Sequence, residues 1–514
     1  MAKTDAITEI KTNGQFEYRC IDSGTGIELV RFLDSSAAEL DIPDEIDCLP
    51  VRVIGPGCFT DNGGLLTRVL VPDSVREIGK DAFSYCFVLE SLELGRDVRR
   101  LGSGFLSFCG SIEHLTIPES VSDIDDAFIL NALHIDTAEG GVYYSDGFGL
   151  YRRMGIGSGD DSGEDKLELV SVCQEEAKET YTLLPDTVSI GANAFRGQGY
   201  LKEVILPEGL ARIGDSAFQN CPGINSFLLP ASLREIGVAA LETSGWDEHT
   251  AHPVTISAAR ENPVLFTEKN ALYMREEPAH GGSLQLIRYF GDDTSFTVPE
   301  GVRVIRTDAF KRTDLSIVSL PSTLEEVQPG AFNANPRLTK FLFPSLGAEI
   351  WFPDVVFRKD DIESLFHPQA EKFVCFGKPL RFRADPGVCY QFAAYDALFD
   401  TYYGVEEKAV LAVCRLAFPV DLDENTQAMY QTWLSSHLEE LMDEITKKEN
   451  NGLFRAFLSL GVLDRERTDR AIEFCLGKRR TICLQMLLDY KHDRFAGNDD
   501  DFSLESIPEE NRTK

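Results

Sequence analysis

Basic residues are scarce in this chain of 514 residues, which holds 50 Lys and Arg against 84 Asp and Glu, for a formal net charge of −34. Nucleic-acid-binding proteins draw most of their affinity from a basic surface, so the deficit argues against nucleic acid as a partner. It argues equally against docking on an anionic membrane surface. If charge guides association, the expected partner is a protein with a basic surface.

Long apolar runs are also missing. No stretch approaches the ~18 uninterrupted apolar residues of a membrane span, so we expect no membrane insertion. The opening MAKTDAITEIKTNG has no apolar leader core, and the closing IPEENRTK has no lipidation motif. The 12 Cys are scattered without a close-spaced framework, which favours reduced thiols. These features predict a cytoplasmic protein, with surface exposure left open.

The common catalytic motifs are absent: there is no P-loop, GxGxxG, GxSxG, HExxH or CxxC. His249 and His252 are separated by two residues in HTAH, with no evident third metal ligand. The acidic stretch GSGDDSGED at 157–165 indicates either a solvated hairpin tip or a calcium loop, although its spacing is not that of an EF-hand. We expect no enzyme activity, no cofactor and no metal site, and the calcium question stays open.

An internal repeat is what the chain does contain. LLTRVLVPDSVREIGKDAFSYC ends at Cys86, and YLKEVILPEGLARIGDSAFQNC ends at Cys221. The shared frame is L-x-x-V-x-L-P-x-x-V-x-x-I-G-x-x-A-F-x-x-C, and Pro207 and Pro230 show its period of 23 residues. A lone unit of this size does not bury its apolar face, so successive units must stack. The pattern predicts an α/β repeat solenoid with a parallel sheet on one side and turns or short helices on the other.

This frame resembles the BspA-type leucine-rich repeat family over about residues 16–346. The start of the chain is similar to that family's first segment, with Phe16-Glu17-Tyr18 followed by IELVRF and LDIPDEIDCLPVRVIGPGCF. The resemblance implies a curved scaffold used for protein or cell-surface recognition. Because the best-known members are exported adhesins, a bacterial surface adhesin exported by an unrecognised route is the alternative function.

The sequence divides into five predicted regions. They are an N-terminal cap segment at 1–38, a solenoid at 39–346, a short mixed connector at 347–387, an α-helical domain at 388–495 and an acidic disordered tail at 496–514. Two interruptions of the solenoid, at about 131–181 and 258–297, each read as a β-hairpin. Each hairpin either extends the edge of the sheet or forms a recognition loop.

Apolar spacing changes to a helical period in the C-terminal region. One helix is predicted from Val405 to Leu416, and a long apolar stripe follows at 430–445. Two further segments follow, one with Asp464 as N-cap and Gly477 as the C′ residue, and one at 479–490. They loosely resemble ankyrin-type helical pairs but lack the ankyrin turn motif.

The candidate site is the solvent side of the repeat strands. In L-x-x-V-x-L the third and fifth positions face outward, and the fifth carries more large aliphatic residues than solubility favours. The Cys that closes each unit is expected inside the solenoid as a small apolar residue. We predict a non-catalytic protein-binding scaffold, unless the chain's own loops or helices cover the strand face. The predicted binding residues are Arg68, Leu70, His114, Glu203, Ile205, Leu228, Lys340 and Leu342.

Overall fold

The structure, a computed structural model, describes residues 9–61, 63–109, 112–125, 132–154, 166–173, 178–243, 254–276, 282–335, 337–351, 392–400, 404–447 and 451–495. The acidic stretch at 157–165, the HTAH histidines, residues 352–387 of the predicted connector and the tail at 496–514 lie outside these ranges. Two compact units are formed. The first comprises residues 1–282, 286–291 and 306–309, and the second comprises 283–285, 292–305 and 310–514.

The strands are short and follow the repeat. In chain order they are β1 (Lys11–Thr12), β2 (Phe16–Ile21), β3 (Gly26–Phe32), β4 (Glu39–Asp41), β5 (Glu45–Ile46), β6 (Leu49–Ile54), β7 (Arg68–Leu70), β8 (Glu77–Ile78), β9 (Ser91–Glu93), β10 (Arg100–Leu101), β11 (Ile112–Ile117), β12 (Asp123–Ile124), β13 (Ala132–Thr137), β14 (Tyr143–Ser145), β15 (Gly149–Met154), β16 (Lys166–Val172), β17 (Thr180–Thr182), β18 (Thr187–Ile190), β19 (Glu203–Ile205), β20 (Arg212–Ile213), β21 (Ser226–Leu229), β22 (Glu235–Ile236), β23 (Thr255–Ala258), β24 (Leu265–Glu268), β25 (Ala271–Arg275), β26 (Leu284–Tyr289), β27 (Ser295–Thr297), β28 (Val302–Ile305), β29 (Ile317–Ser319), β30 (Glu326–Val327), β31 (Lys340–Phe343) and β32 (Ala348–Trp351).

The L-x-x-V-x-L segments form parallel strands whose solvent side we call the sheet face. The first unit holds nine of them (β4, β7, β9, β11, β13, β17, β19, β21 and β23), and the second unit holds three (β27, β29 and β31). Val69 of β7 lies opposite Leu92 of β9, one period further along, and both are buried. The predicted solenoid, with a period of about 23 residues, is therefore confirmed.

A second parallel ladder runs along the other side of the stack, where the sequence indicated turns or short helices. Ile54, Ile78 and Leu101 are successive partners in β6, β8 and β10. The glycine of the I-G pair makes this close approach possible. A Cβ added to Gly79 would lie 2.7 Å from the Pro56 nitrogen, and one on Gly102 would lie 2.5 Å from the Lys80 nitrogen.

The A-F-x-x-C turns place a column of aromatic rings inside the solenoid. The rings of Phe195 and Phe218 stack at 4.7 Å between centroids and 10°, and those of Phe59 and Phe83 at 4.6 Å and 9°. This spacing matches the separation of neighbouring strands, so in these pairs the ring of one turn packs on the equivalent ring of the next. Cys221 is buried as expected, and its thiol donates to the Phe195 carbonyl oxygen at 2.9 Å.

Both insertions contain antiparallel strands. In the first, β14, β15 and β16 are antiparallel, and β16 continues in parallel with β18 of the second ladder. In the second, β24 and β25 form an antiparallel hairpin. The strands β13, β17, β23 and β27 at the margins of the predicted insertions pair in parallel as ordinary repeat strands. The inserted strands therefore occupy less of the chain than the frame alone indicated.

The second unit ends in helices that pack on its last strand. They are α1 (Phe392–Ala397), α2 (Val405–Ala417), α3 (Glu424–Ser436), α4 (Leu438–Lys447), α5 (Asn451–Ser459), α6 (Arg465–Gly477) and α7 (Thr481–Phe495). α2 is central, since it contacts β32, α3, α4 and α5. Its Arg415 is fully buried and bonds Asp396 at 2.7 Å, and Tyr430 donates to the same carboxylate at 2.9 Å.

The helical region is confirmed, with two local differences from the predicted boundaries. The apolar stripe at 430–445 is split at His437 into α3 and α4. Asp464 caps α6 as predicted and accepts from the Arg467 amide at 2.8 Å. The Gly477 prediction is wrong: Gly477 is the last helical residue, and the left-handed residue is Arg479 at φ 56°.

Candidate protein-binding surface

The alternation of the strands places the predicted outward residues on the sheet face. Glu203 and Ile205 are exposed on either side of the buried Val204 in β19. Leu228 is exposed in β21 next to the buried Phe227. A one-residue slip in register would have reversed this pattern. Ser319 departs from it, since the frame places it outward and the structure buries it.

Ile205 and Leu228 form the most exposed aliphatic pair of the predicted site. They occupy the same repeat position, 23 residues apart, on the contacting strands β19 and β21. Ile205 is 45% exposed and Leu228 is 74% exposed. Because Val204 and Phe227 fix the strands from below, the two side chains stand on a backbone that is held by the core.

Arg68 and Leu70 lie in a more charged part of the sheet face. Arg68 donates to Asp41 at 3.1 Å and to Glu93 at 3.4 Å, each on a neighbouring strand. The hydrogen bond to Asp41 raises the pKa of Arg68. Leu70 is half-buried, so it offers less apolar surface than the repeat frame indicated.

His114 is exposed on β11 and stacks on His134 of β13, with 5.1 Å between ring centroids. Its Nδ1 atom lies 3.8 Å from an Asp136 carboxylate oxygen. Over the described part of the chain, no three His, Cys, Asp or Glu side chains are placed to hold a metal ion. This part of the sheet face is therefore polar.

Lys340 and Leu342 belong to the second unit, where the chain itself covers them in part. The antiparallel strand β32 places Glu349 opposite Leu342 and Trp351 opposite Lys340. The Lys340 ammonium lies 2.9 Å from Glu349 and 4.5 Å from the centre of the Trp351 ring. Both predicted residues are consequently half-buried. At this strand the chain itself covers part of the sheet face, which was the alternative to an open binding surface.

Sequence reasoning missed an exposed apolar cluster at the turns. We call it the aromatic edge, and it consists of Leu65, Tyr85, Phe87, Val88 and Phe108. Tyr85 and Phe108 each precede the Cys of A-F-x-x-C, and their rings stack at 4.8 Å and 7°. The sequence did contain a signal for this cluster, because two successive units carry an aromatic residue directly before the Cys.

The family can be decided from the repeat itself. The sequence profile described as BspA type leucine rich repeat region matches six copies, at residues 25–139, 173–255 and 290–370, which is more than half of the chain. The chain belongs to the BspA-type leucine-rich repeat family. For this leucine-rich repeat protein, the matched residues contain both ladders and the phenylalanine column.

Several solved structures are similar to this repeat protein. A leucine-rich cell surface protein of Faecalibacterium prausnitzii is 21% identical, with 65% of this chain and 76% of that chain covered and a TM-score of 0.35. A leucine-rich repeat protein of Eubacterium ventriosum is 15% identical, with 65% and 90% covered and a TM-score of 0.38. The pneumococcal vaccine antigen PcpA is 14% identical, with 65% and 70% covered and a TM-score of 0.29. No curated protein matches the chain significantly.

Within the described ranges of this repeat protein, no helix is both long enough and apolar enough to span a membrane.

Proposed function

We propose that this leucine-rich repeat protein is a non-catalytic scaffold that binds a protein partner on the sheet face around Ile205 and Leu228. The observation that carries the proposal is the exposure of these two aliphatic side chains, 45% and 74%, on adjacent strands. Burying a large aliphatic side chain contributes about 2 kcal/mol, so the pair favours a partner with a complementary apolar patch. An open face without a deep pocket suits a protein better than a small ligand.

The charge of the chain favours a partner with a basic surface. The net charge is −34, and Glu203 stands exposed beside Ile205. Opposite charges speed association and are screened by salt, so we expect the affinity to fall as ionic strength rises. A nucleic acid is disfavoured by the same charge.

We further propose a cytoplasmic location. Its support is the state of the cysteines: the ten in the described ranges are all free thiols, and eight of them are buried. Exported proteins more often pair their cysteines, because oxidising compartments favour disulfides.

The test replaces both aliphatic residues by charged ones. Ile205→Asp with Leu228→Asp should weaken partner binding at least about 100-fold, because two apolar contacts are lost and two charges would be desolvated. The measurement is affinity capture with the full chain, followed by titration of each protein that the unmodified chain retains. The melting temperature of the double variant should stay within about 2 °C, since both side chains are on the surface.

The matched control is Thr116→Asp with Thr255→Asp, which adds the same charge at exposed positions of the same face. It should retain the partner. If the double variant at 205 and 228 stays folded and binds the same proteins as the unmodified chain, the proposed face is wrong.

A further inference from the structure

The aromatic edge combines large side chains with a left-handed backbone. Tyr85 has φ 67° and Phe108 has φ 62°, in the region that L-residues with large side chains seldom adopt. The left-handed conformation itself belongs to the repeat, since other units carry Gly197 at φ 81°, Asn220 at φ 59°, Arg312 at φ 57° and Ala334 at φ 54° at the same turn position. The fold is thus built without an aromatic residue at this position elsewhere in the stack.

Packing does not account for the two aromatic residues either. Tyr85 is 46% exposed and Phe108 is 57% exposed, and the neighbouring Phe87 and Leu65 are more exposed still. Tyr85 contacts both Phe87 and Phe108, at 5.9 Å and 4.8 Å between ring centroids, and exposed apolar clusters of this kind mark interaction sites. Strained residues that contribute little to the core are typical of functional surfaces.

The segments that carry the aromatic edge are acidic. The segments 60–67, 84–90 and 107–114 contain Asp61, Glu90 and Glu113 and no Lys or Arg. Asp61 is paired with Arg31, whose Nε lies 3.5 Å from its carboxylate oxygen, so Glu90 and Glu113 are the carboxylates offered to a ligand. All three carboxylate residues are exposed. Exposed rings attract guanidinium and ammonium groups through their π faces, and the carboxylates attract the same groups by charge.

We propose that the aromatic edge binds a basic segment of a partner protein, whose Arg side chains stack on Tyr85 and Phe108 and pair with the surrounding carboxylates. Arg suits this site better than Lys because its planar guanidinium stacks on a ring while it bonds carboxylates. This surface is separate from the pair at Ile205 and Leu228, so it adds a second contact region to the scaffold function.

The test uses nona-arginine as the probe and isothermal calorimetry on the full chain at about 0.15 M salt, where long-range attraction is screened beyond roughly 8 Å. The decisive variant is Tyr85→Gly with Phe108→Gly, which leaves the net charge unchanged. It should bind nona-arginine about tenfold more weakly, as expected for two exposed cation–π contacts. Its melting temperature should not fall, because glycine adopts the left-handed conformation without strain.

Two charge-neutral controls accompany this variant. Asn220→Gly changes the equivalent backbone position, and Ile205→Ser with Leu228→Ser removes the sheet-face pair; both should bind nona-arginine as the unmodified chain does. The second control separates the two proposals, because this variant should lose the partner that binds the sheet face and should still bind nona-arginine. Nona-lysine should bind the unmodified chain more weakly than nona-arginine.

Two results would overturn the inference. If the glycine double variant binds nona-arginine as tightly as the unmodified chain, bulk negative charge accounts for the binding. If maltoheptaose or chitohexaose binds through Tyr85 and Phe108 while nona-arginine binding does not depend on them, the edge is a carbohydrate platform.

Discussion

Single residues show how tightly the repeat constrains the backbone. Each turn needs a left-handed residue two positions after the glycine of the I-G pair. Gly104 fills this position at φ 66°, but Ser216 at φ 53° and Ala239 at φ 52° fill it elsewhere. An alanine in this region costs roughly 1 kcal/mol relative to its normal conformations. The stack therefore carries local strain at positions where the side chain contributes little.

Ala239→Gly should relieve that strain. We expect the free energy of unfolding to rise by about 0.5 kcal/mol, since the gain of roughly 1 kcal/mol is partly offset by the greater freedom of glycine in the unfolded chain. Chemical denaturation measures the difference. The neighbouring buried Ala240, which lacks a positive φ, is the matched control: Ala240→Gly should lower the stability. A loss of stability in both variants would contradict the interpretation.

Residue identities also explain which parts of the candidate site were predictable. The alternation of β19 and β21 follows from the period of two in a strand, so the exposure of Ile205 and Leu228 could be read from the frame. The half-burial of Lys340 could not, because it depends on Trp351 of a strand outside the repeat. The aromatic edge was missed because the frame treats the residue before Cys as variable.

Within elements, the phenylalanine column joins neighbouring turns. Phe218 stacks on Phe195 at 4.7 Å and packs at 4.9 Å against Phe227, so it joins its own turn, the preceding turn and the next strand. In a solenoid each unit contacts only its neighbours, so damage to one unit should spread to adjacent units first.

Phe218→Ala should lower the local stability by about 3–5 kcal/mol, since it leaves a cavity in a filled core. Hydrogen exchange should show loss of protection in β18, β20 and β22 before more distant strands of the first unit. Phe87→Ala removes the same side chain from an exposed position and should change the stability by less than about 0.5 kcal/mol. Equal loss of protection throughout the unit would contradict nearest-neighbour coupling.

The strands of the second ladder could not be predicted from the sequence. The V-x-x-I segment places only Glu77 and Ile78 in a strand, and two residues are too few for a period to be recognised. The ladder exists because stacking brings identical segments one strand spacing apart. Periodicity found the helices of the second unit, but their limits at His437 and Arg479 depend on local turn geometry.

At the scale of the whole molecule, burial lowers the reactivity of thiols in both units, as Cys221 and Cys414 show. Desolvation raises the pKa of Cys221 and of Cys414 to about 12. The reactive species is the thiolate, whose fraction at pH 8 falls roughly 1000-fold when the pKa rises by three units. Because these thiols ionise more readily when unfolded, the stability that they contribute is present below pH ~9 and is lost as the pH rises toward 12.

Thiol titration at pH 8 should therefore give close to 12 free thiols in denaturant, the full cysteine content, and far fewer in the native protein. A maleimide or disulfide reagent reports both counts. Among the ten cysteines of the described ranges, exposed Cys48 should react fastest in the native protein, and Cys48→Ser should lower the native count by about one. Several disulfides in the purified protein would contradict the proposed cytoplasmic location.

The last strand of the second unit has a consequence for self-association. Stacked parallel strands offer an unpaired edge on which another copy can continue the ladder into a fibre. Here β32 reverses direction, and its carbonyl groups are occupied by the helices: Cys414 donates to the Glu349 oxygen at 3.2 Å, and Tyr395 donates to the Trp351 oxygen. The helices thus cover this edge and disfavour pairing of a second copy at β32.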